Sequence, residues 1–175
     1  MEKRSKGTVI IGGTESDTHV VSLYLAAIML EEHGYRVINR TCQNPTADLM
    51  ADAGEEVEVL AYVVCNQNGH ALEDLRDLRL FKSRATPIIL GGHYTLGCHN
   101  KLAQQSELRA VGVDLFVESL GDLIPLLDQI AAAKAAQGNW QSCLREAQAP
   151  NQIAAAKAAQ SDWLGWLTEA QGGAA

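Results

Sequence analysis

The pattern of this chain is set near its start by Gly7-Thr-Val-Ile-Ile-Gly-Gly-Thr-Glu-Ser-Asp-Thr-His19. The β-branched apolar run is typical of a buried strand, so the stretch predicts a strand over 7–13 and a helix that begins near Thr18. The polar loop between them places Asp17 two residues before His19. A carboxylate at that spacing can hold one ring nitrogen of a histidine and turn the other toward a ligand or metal. We therefore predict a binding site on this loop.

Apolar runs and amphipathic segments alternate along most of the chain. The pattern predicts four more strands, at 35–39, 57–65, 87–90 and 113–117, and five helices, at 20–33, 46–53, 71–83, 96–111 and 122–136. Regular alternation with short connections favours right-handed crossovers and a parallel sheet. The predicted fold class is therefore α/β, a flavodoxin-like or Rossmann-like five-stranded parallel sheet with helices on both faces, plus a helical C-terminal extension.

Single residues predict how the first two helices are built. Gly34 is expected to end the first helix, and Thr46 to cap the second through its hydroxyl. The apolar face of the first helix is predicted from residues at helical spacing: Val21, Leu25, Ile28 and Met29.

The composition excludes several classes of protein. The 175 residues are 47% apolar and 20% charged, with a net charge of -7 and a pI of about 5.2. Nucleic-acid binding needs clustered Lys and Arg, so we predict no nucleic-acid partner. No stretch approaches the roughly 18 apolar residues of a membrane span, and no signal-peptide pattern follows the basic start. We therefore predict no membrane contact and a cytoplasmic location. Four scattered cysteines without a C-x-x-C pair indicate reduced thiols.

The C-terminal part is rich in alanine and contains a repeat, because the sequence of residues 129–137 recurs at 152–160. We predict a first domain over residues 1–136 and an Ala-rich helical extension over 137–175. Alanine favours helix, but a short helix needs a surface to pack on. Trp140, Trp163 and Trp166 lie in this region, which either covers the domain's own surface or forms a contact surface for a partner.

Most of the residues that could bind a ligand lie in the loops after three of the predicted strands. In a parallel sheet of this kind, ligands bind beyond the carboxyl ends of the strands. The loops after strands one, three and four span 12–18, 66–70 and 91–97. They contain, with the residues at their edges, Ser16, Asp17, His19, Cys65, Asn66, Asn68, His70, Gly91, Gly92, His93 and Tyr94.

Three segments together resemble the cobalamin-binding domain family: Ser16-Asp-Thr-His-Val-Val-Ser22, Cys65-Asn-Gln-Asn-Gly69 and Ile89-Leu-Gly-Gly-His93. The family pattern is Asp-x-His-x-x-Gly, then Ser-x-Leu, then Gly-Gly, and Asp17, His19, Gly91 and Gly92 match it. Within the family the chain is most similar to the small, cofactor-carrying subunit of glutamate mutase. Two elements depart from the pattern. Ser22 replaces the last glycine of the first motif, and no Ser-x-Leu stands at the end of strand three, where Cys65 is found.

The resemblance implies that the chain binds cobalamin, in the first place adenosylcobalamin, with His19 as the metal ligand to cobalt and Asp17 as its orienting partner. It implies the carrier subunit of an adenosylcobalamin-dependent carbon-skeleton mutase, an isomerase that needs a separate, larger catalytic subunit for activity. No residue of this chain is predicted to be catalytic. The implied cofactor-binding residues are Ser16, Asp17, Thr18, His19, Ser22, Cys65, Asn66, Gly91, Gly92 and His93.

Other functions are weighed against this one. Ser22 and the missing Ser-x-Leu would also suit a divergent, non-catalytic binding or adaptor module with a degenerate pocket. A corrinoid methyl carrier uses the same fold, although such proteins usually carry a helical domain ahead of it. A dinucleotide site lacks G-x-G-x-x-G, and a response regulator would need an aspartate where Cys65 stands. A zinc site and a Cys65 nucleophile receive low weight, because His70, His93, Cys98 and His99 have no recognised spacing and no base for Cys65 can be identified.

Overall fold

The computed structural model describes residues 5–51, 58–83, 85–95, 101–136 and 138–141. Five strands and six helical segments alternate in these ranges. They are β1 (Thr8–Gly13), α1 (Val20–Glu32), β2 (Arg36–Asn39), α2 (Thr46–Leu49), β3 (Val59–Cys65), α3 (Ala71–Asp74), α4 (Leu78–Phe81), β4 (Ile88–Gly91), α5 (Lys101–Val111), β5 (Leu115–Val117) and α6 (Leu120–Ala135). None of the helices in these ranges is long and apolar enough to cross a membrane.

The five strands form one parallel sheet in the order β2-β1-β3-β4-β5. This is the flavodoxin-like order: β2 lies on one side of β1, whereas β3, β4 and β5 follow one another on its other side. The predicted five-stranded parallel sheet with helices on both faces is confirmed, whereas most of the predicted helical extension lies outside the described residues. The register places Gly13 beside Cys65 and Cys65 beside Gly91, so the ends of β1, β3 and β4 meet at one edge of the sheet.

Both faces of the sheet are covered, because successive side chains of a strand point to opposite faces. On one face, Ile10, Val64 and Leu90 belong to a buried cluster that includes residues of α2 to α5, such as Leu49 and Leu108. On the other face, side chains of β1 and β3 meet those of α1 and α6 around a cleft lined in part by Ile11, Val63, Leu23 and Leu123. The core therefore lies on both sides of the three central strands.

The apolar face predicted for α1 is wrong. The structure buries Leu23, Ala26, Ala27 and Leu30, whereas Val21, Leu25 and Ile28 are 69%, 51% and 53% exposed and Met29 is half-buried. Ten of the thirteen residues of this helix are apolar or aromatic, so the pattern alone has no continuous polar face to define which side is turned outward. The sheet selects the face that carries two small alanines, which allow the helix to approach it closely.

The end of α1 confirms the prediction for Gly34. The amide of Gly34 donates to the Glu31 carbonyl and that of Tyr35 to the Leu30 carbonyl, each at 3.0 Å. Gly34 has a φ of +88°, the left-handed conformation that this helix ending requires and that glycine adopts without a steric penalty.

Two local predictions on the other side of the sheet are wrong. Thr46 does not cap α2: its hydroxyl donates to the Asp74 carbonyl at 2.8 Å, and Pro45 occupies the N-cap position. The helix predicted over 71–83 is two short helices, α3 and α4, separated by a turn in which the Leu78 amide donates to the Leu75 carbonyl. This turn places both leucines in the buried cluster.

The chain divides into two units, Met1–Ala131 and Ala132–Ala175, with the division inside α6. In the second unit the structure describes residues 132–136 and 138–141, and Trp140 is buried there. The rest of the predicted extension, with Trp163 and Trp166, lies outside the described residues, as do Cys98, His99 and Cys143. The domain boundary at residue 136 and the role of the tryptophans stay predictions.

Candidate functional site

The predicted pair of Asp17 and His19 is formed at the carboxyl edge of the sheet, on the loop between β1 and α1. Oδ1 of Asp17 accepts two hydrogen bonds from His19, one from the backbone amide at 3.1 Å and one from ring Nδ1 at 2.7 Å. The Asp17 side chain is 1% exposed, whereas that of His19 is 58% exposed. Because Nδ1 is held by the carboxylate, Nε2 is the ring nitrogen available to a ligand.

The Asp17 carboxylate is also fixed through its second oxygen. Its Oδ2 accepts the backbone amide of Gln67 at 2.9 Å, across the junction between β1 and β3. A buried carboxylate is costly unless its oxygens are hydrogen-bonded, and three donors satisfy this one. The imidazole of His19 is therefore oriented by a rigid support rather than by a mobile surface contact.

The loop after β2 clamps the same segment through the backbone. The Gln43 amide donates to the Asp17 carbonyl at 3.1 Å, and the Gly13 amide donates to the Thr41 carbonyl at 2.8 Å. Thr41 and Gln43 have φ values of 60° and 59°, which are uncommon for residues with a Cβ atom. Strained backbone of this kind persists only where the surroundings hold it, and here the contacts that hold it also hold the Asp17 loop.

A largely apolar cleft of about 110 Å³ lies at the first turns of α1, and Ser22, whose hydroxyl bonds the His19 carbonyl, is one of the residues that line it. It is enclosed by the first turns of α1, the ends of β3 and β4, and the segment that joins β5 to α6. Its polar side chains are those of Ser22, Cys65, Gln67, Glu118 and Ser119. A small apolar cleft with a few polar groups at its wall is typical of a site for part of an organic ligand.

Two residues that depart from the family pattern face each other in this cleft. Ser22 Oγ lies 3.5 Å from Cys65 Sγ and donates to the His19 carbonyl at 3.3 Å. Burial raises the pKa of the Cys65 thiol, an effect that its hydrogen bond with Ser22 only partly offsets. Cys65 therefore remains a protonated, weakly donating thiol, which fits a role in lining the cleft and does not fit a nucleophile.

Gly91 is the last residue of β4 and Gly92 follows it, and neighbouring atoms leave little room for a side chain at either position. A Cβ atom on Gly92, whose φ is +99°, would lie 2.3 Å from the Asn66 carbonyl oxygen, and one on Gly91 would lie 3.0 Å from Val117. No larger residue fits at Gly92 without a shift of the β3 loop. The Gly-Gly pair thus lines part of the cleft with backbone alone.

The remaining predicted residues lie nearby but have different surroundings. Ser16 faces Asp74 and Asn68, with its hydroxyl donating to Asp74 Oδ2 at 2.7 Å, and Thr18 is exposed on the same loop. Asn66 is fully buried, and its amide bonds Thr14, Asn68 and Gly69. His93 is exposed beside Gly92. The structure thus brings His19, Ser22, Cys65, Gly91, Gly92 and His93 to one region and gives Ser16 and Asn66 roles in the loops around it.

Sequence reasoning missed Gln67 and the segment after β5. Gln67 bonds Asp17 through its backbone and His93 through its side chain, and Ser119 and Leu120 line the cleft. The rule that ligands bind at the carboxyl ends of strands also applies to β5 and could have indicated Ser119. No local pattern could have indicated Gln67. Among the described residues, no group of three His, Cys, Asp or Glu side chains could hold a metal ion by itself.

These features define a class of protein: a flavodoxin-like domain with an oriented, ligand-accessible imidazole at the carboxyl edge of its sheet, beside an apolar cleft. Two solved structures share the fold. One is the methanol:cobalamin methyltransferase complex MtaBC of Methanosarcina barkeri. The match covers 82% of this chain and 52% of the chain in that structure, with a TM-score of 0.60 and 21% sequence identity. The other is a cobalamin-binding protein of Desulfitobacterium hafniense. The match covers 73% of this chain and 60% of that protein's chain, with a TM-score of 0.54 and 19% sequence identity. This chain therefore spans between half and three-fifths of those chains.

A curated relative is glutamate mutase sigma subunit 2 of Haloarcula marismortui, which is 27% identical over 118 residues, covering 66% of this chain and 79% of the relative. The resemblance to the cobalamin-binding domain family, and to the small subunit of glutamate mutase, is thereby confirmed. No family model matches the chain.

Proposed function

We propose that this protein binds cobalamin through His19 and carries it for a separate, larger catalytic subunit of an adenosylcobalamin-dependent carbon-skeleton mutase. The observation that carries the proposal is the buried Asp17 carboxylate, which holds Nδ1 of an exposed histidine and leaves Nε2 available. This histidine lies three residues before Ser22, which lines an apolar cleft. The similarity to a glutamate mutase sigma subunit supports the choice of mutase. When bound, adenosylcobalamin supplies a carbon radical by homolysis of its cobalt–carbon bond.

The residues at the site fit this group. Imidazole nitrogen is a suitable ligand for cobalt, and the carboxylate behind it fixes the orientation of the ring. The apolar cleft suits the aromatic base at the end of the nucleotide tail, and the glycine pair lets backbone approach it. The cleft is narrow, since a cavity of about 150 Å³ holds only a benzene ring. We expect Ser22 and Cys65 to move apart when the tail enters.

The test is a spectrum of the full chain mixed with cobalamin. We expect tight retention on gel filtration and, in the reduced cobalt(II) form, a nitrogen hyperfine pattern that changes when histidine is labelled with nitrogen-15. His19→Ala removes that signature and weakens retention at least about tenfold, the effect of losing one ligand's contribution. His33→Ala, at the far end of α1, is the matched control and leaves both unchanged.

The same experiment separates the alternatives. A degenerate adaptor module predicts no change in the corrin spectrum, and that result would sink the proposal. A corrinoid methyl carrier predicts the same histidine signature with tighter retention of methylcobalamin than of adenosylcobalamin. Action in the cytoplasm and the identity of the larger subunit stay predictions.

A further inference from the structure

Two imidazoles of the site are held in the same way. His19 gives its backbone amide and its ring Nδ1 to one oxygen, Oδ1 of Asp17. His93 gives its backbone amide, at 3.2 Å, and its ring Nδ1, at 3.0 Å, to one oxygen, Oε1 of Gln67. Each histidine is therefore anchored at two points by a single acceptor.

This geometry fixes the position of the proton on His93. A backbone amide can only donate, so the Gln67 atom that faces it is the oxygen and not the nitrogen of the side-chain amide. The same oxygen has no hydrogen to give, so Nδ1 of His93 must carry one. In the neutral imidazole, Nε2 then has a free lone pair and acts only as an acceptor. His93 is exposed, which leaves that nitrogen accessible.

Gln67 connects the two histidines. Its backbone amide donates to Asp17 Oδ2 at 2.9 Å, while its side-chain nitrogen donates to Cys65 Sγ at 3.7 Å. One residue of the β3–α3 loop thus supports the carboxylate behind His19, contacts the wall of the cleft and orients His93. The supports differ in charge. A carboxylate stands behind the ring of His19, as is common for histidines that bind metals, whereas a neutral amide that carries no charge holds the ring of His93.

We propose that Gln67 is a positioning residue that presents Nε2 of His93 as a hydrogen-bond acceptor for a primary amide on the ligand held by His19. The inference rests on the proposed function, since the corrin ring carries uncharged acetamide and propionamide groups at its edge, and these donate N–H. An acceptor-only nitrogen is complementary to such a group and not to a carbonyl oxygen.

The first test reads the proton directly, in the cofactor-free protein. Nitrogen NMR of the imidazoles at a pH of about 8.5, above the ordinary titration range of histidine, should show His93 with hydrogen on Nδ1. Gln67→Leu should shift His93 toward the Nε2–H form, and Gln67→Glu, which keeps an acceptor oxygen, should restore Nδ1–H. His33, whose Nδ1 is 2.7 Å from the Met29 carbonyl, should be unchanged in every variant and reports that the fold is intact.

The second test measures the affinity for cobalamin. Loss of one hydrogen bond corresponds to about a two- to tenfold weaker affinity. His93→Ala and Gln67→Leu should each show that loss, and the double variant should lose no more than the larger single effect. Gln67→Glu should bind within about twofold of the unaltered protein. Because His93 is exposed, His93→Ala is expected to fold even if Gln67→Leu does not.

Three outcomes would overturn the inference. One is hydrogen on Nε2 of His93 in the unaltered protein, and another is full affinity in His93→Ala. In either case the unaltered protein can still show the histidine-ligated spectrum, so the proposed function survives. No binding of cobalamin by the unaltered protein would overturn both.

Discussion

Asp17 shows what a local pattern can and cannot reveal at the scale of single residues. Its bond to His19 spans two positions in the chain, so the spacing alone predicts it. Its bond to Gln67 spans fifty positions and exists only because β1 and β3 are neighbours in the sheet. The sequence therefore identifies the imidazole and its orienting carboxylate, whereas the residue that completes the support depends on strand order.

Ser22 is the residue at which the cleft can be widened. We expect Ser22→Gly to bind cobalamin several-fold more tightly, because it removes the hydroxyl that lies 3.5 Å from Cys65 Sγ in the narrow cleft. The substitution also costs about 0.5–1 kcal/mol of helix stability. Titration of the corrin absorbance measures the affinity.

Val21→Gly is the matched control for this change. Val21 precedes Ser22 in the same helical turn but is exposed and does not line the cleft, so it carries the cost of a helical glycine without the gain in width. Weaker binding by Ser22→Gly than by Val21→Gly would show that the Ser22 hydroxyl contributes a contact rather than an obstruction.

At the scale of elements, α1 is positioned by its ends and by the sheet rather than by its own pattern. Its apolar residues surround the helix, and the buried face is chosen by the fit of Ala26 and Ala27 against the strands. Its C-terminal end, in contrast, is defined by one glycine. This difference explains why the end of the helix is predictable from the sequence and its buried face is not.

Replacing a glycine by alanine should have opposite effects on the free energy of unfolding at the end of α1 and within α6. Gly34→Ala should lower the free energy of unfolding by about 1 kcal/mol, because a Cβ atom is strained at a φ of +88° although the nearest atom, Lys6 Cγ, is 4.0 Å away. Gly121→Ala, inside α6 and 3.6 Å from Ser119 Oγ, should raise it by about 0.5–1 kcal/mol. Urea denaturation measures both. An equal effect of the two substitutions would contradict the role of the left-handed backbone.

At the scale of the whole molecule, the parallel order of the strands creates the site. Loops that are distant in the chain meet because β1, β3 and β4 end at the same edge. The opposite end of the sheet carries a structural contact instead. There Lys6 Nζ and the Tyr35 hydroxyl both donate to Asp128 Oδ1, at 2.7 and 2.6 Å, and link the start of β1 and the α1–β2 turn to α6.

This contact gives the fold a small dependence on pH. The hydrogen bond from Lys6, followed by that from Tyr35, lowers the pKa of Asp128. A lowered pKa means that the folded protein favours the carboxylate, so the stabilisation is complete above the ordinary carboxyl pKa of about 3.9 and is lost as pH falls through the lowered value. Because Asp128 is 46% exposed, we expect Asp128→Asn to cost only about 0.5 kcal/mol at pH 7.

The difference between Asp128→Asn and the unaltered protein should shrink toward zero in acid. Unfolding curves in urea from pH 7 down to about pH 3 test this linkage. The control is Glu31→Gln, because Glu31 is an exposed carboxylate on α1. This variant should change the free energy of unfolding little at any pH. A difference that grows in acid would contradict the assigned direction.

The amino-acid sequence by itself determined the periodic strands and helices, the glycine that ends α1, and the pair of Asp17 and His19, because each depends on residues that are near one another in the chain. Only the tertiary structure decided which face of α1 is buried, that Thr46 bonds Asp74 instead of capping α2, and that Ser22 meets Cys65. It alone showed that Gln67 bonds both Asp17, which supports His19, and His93. These contacts connect segments separated by tens of residues, and their geometry follows from the order and register of the sheet.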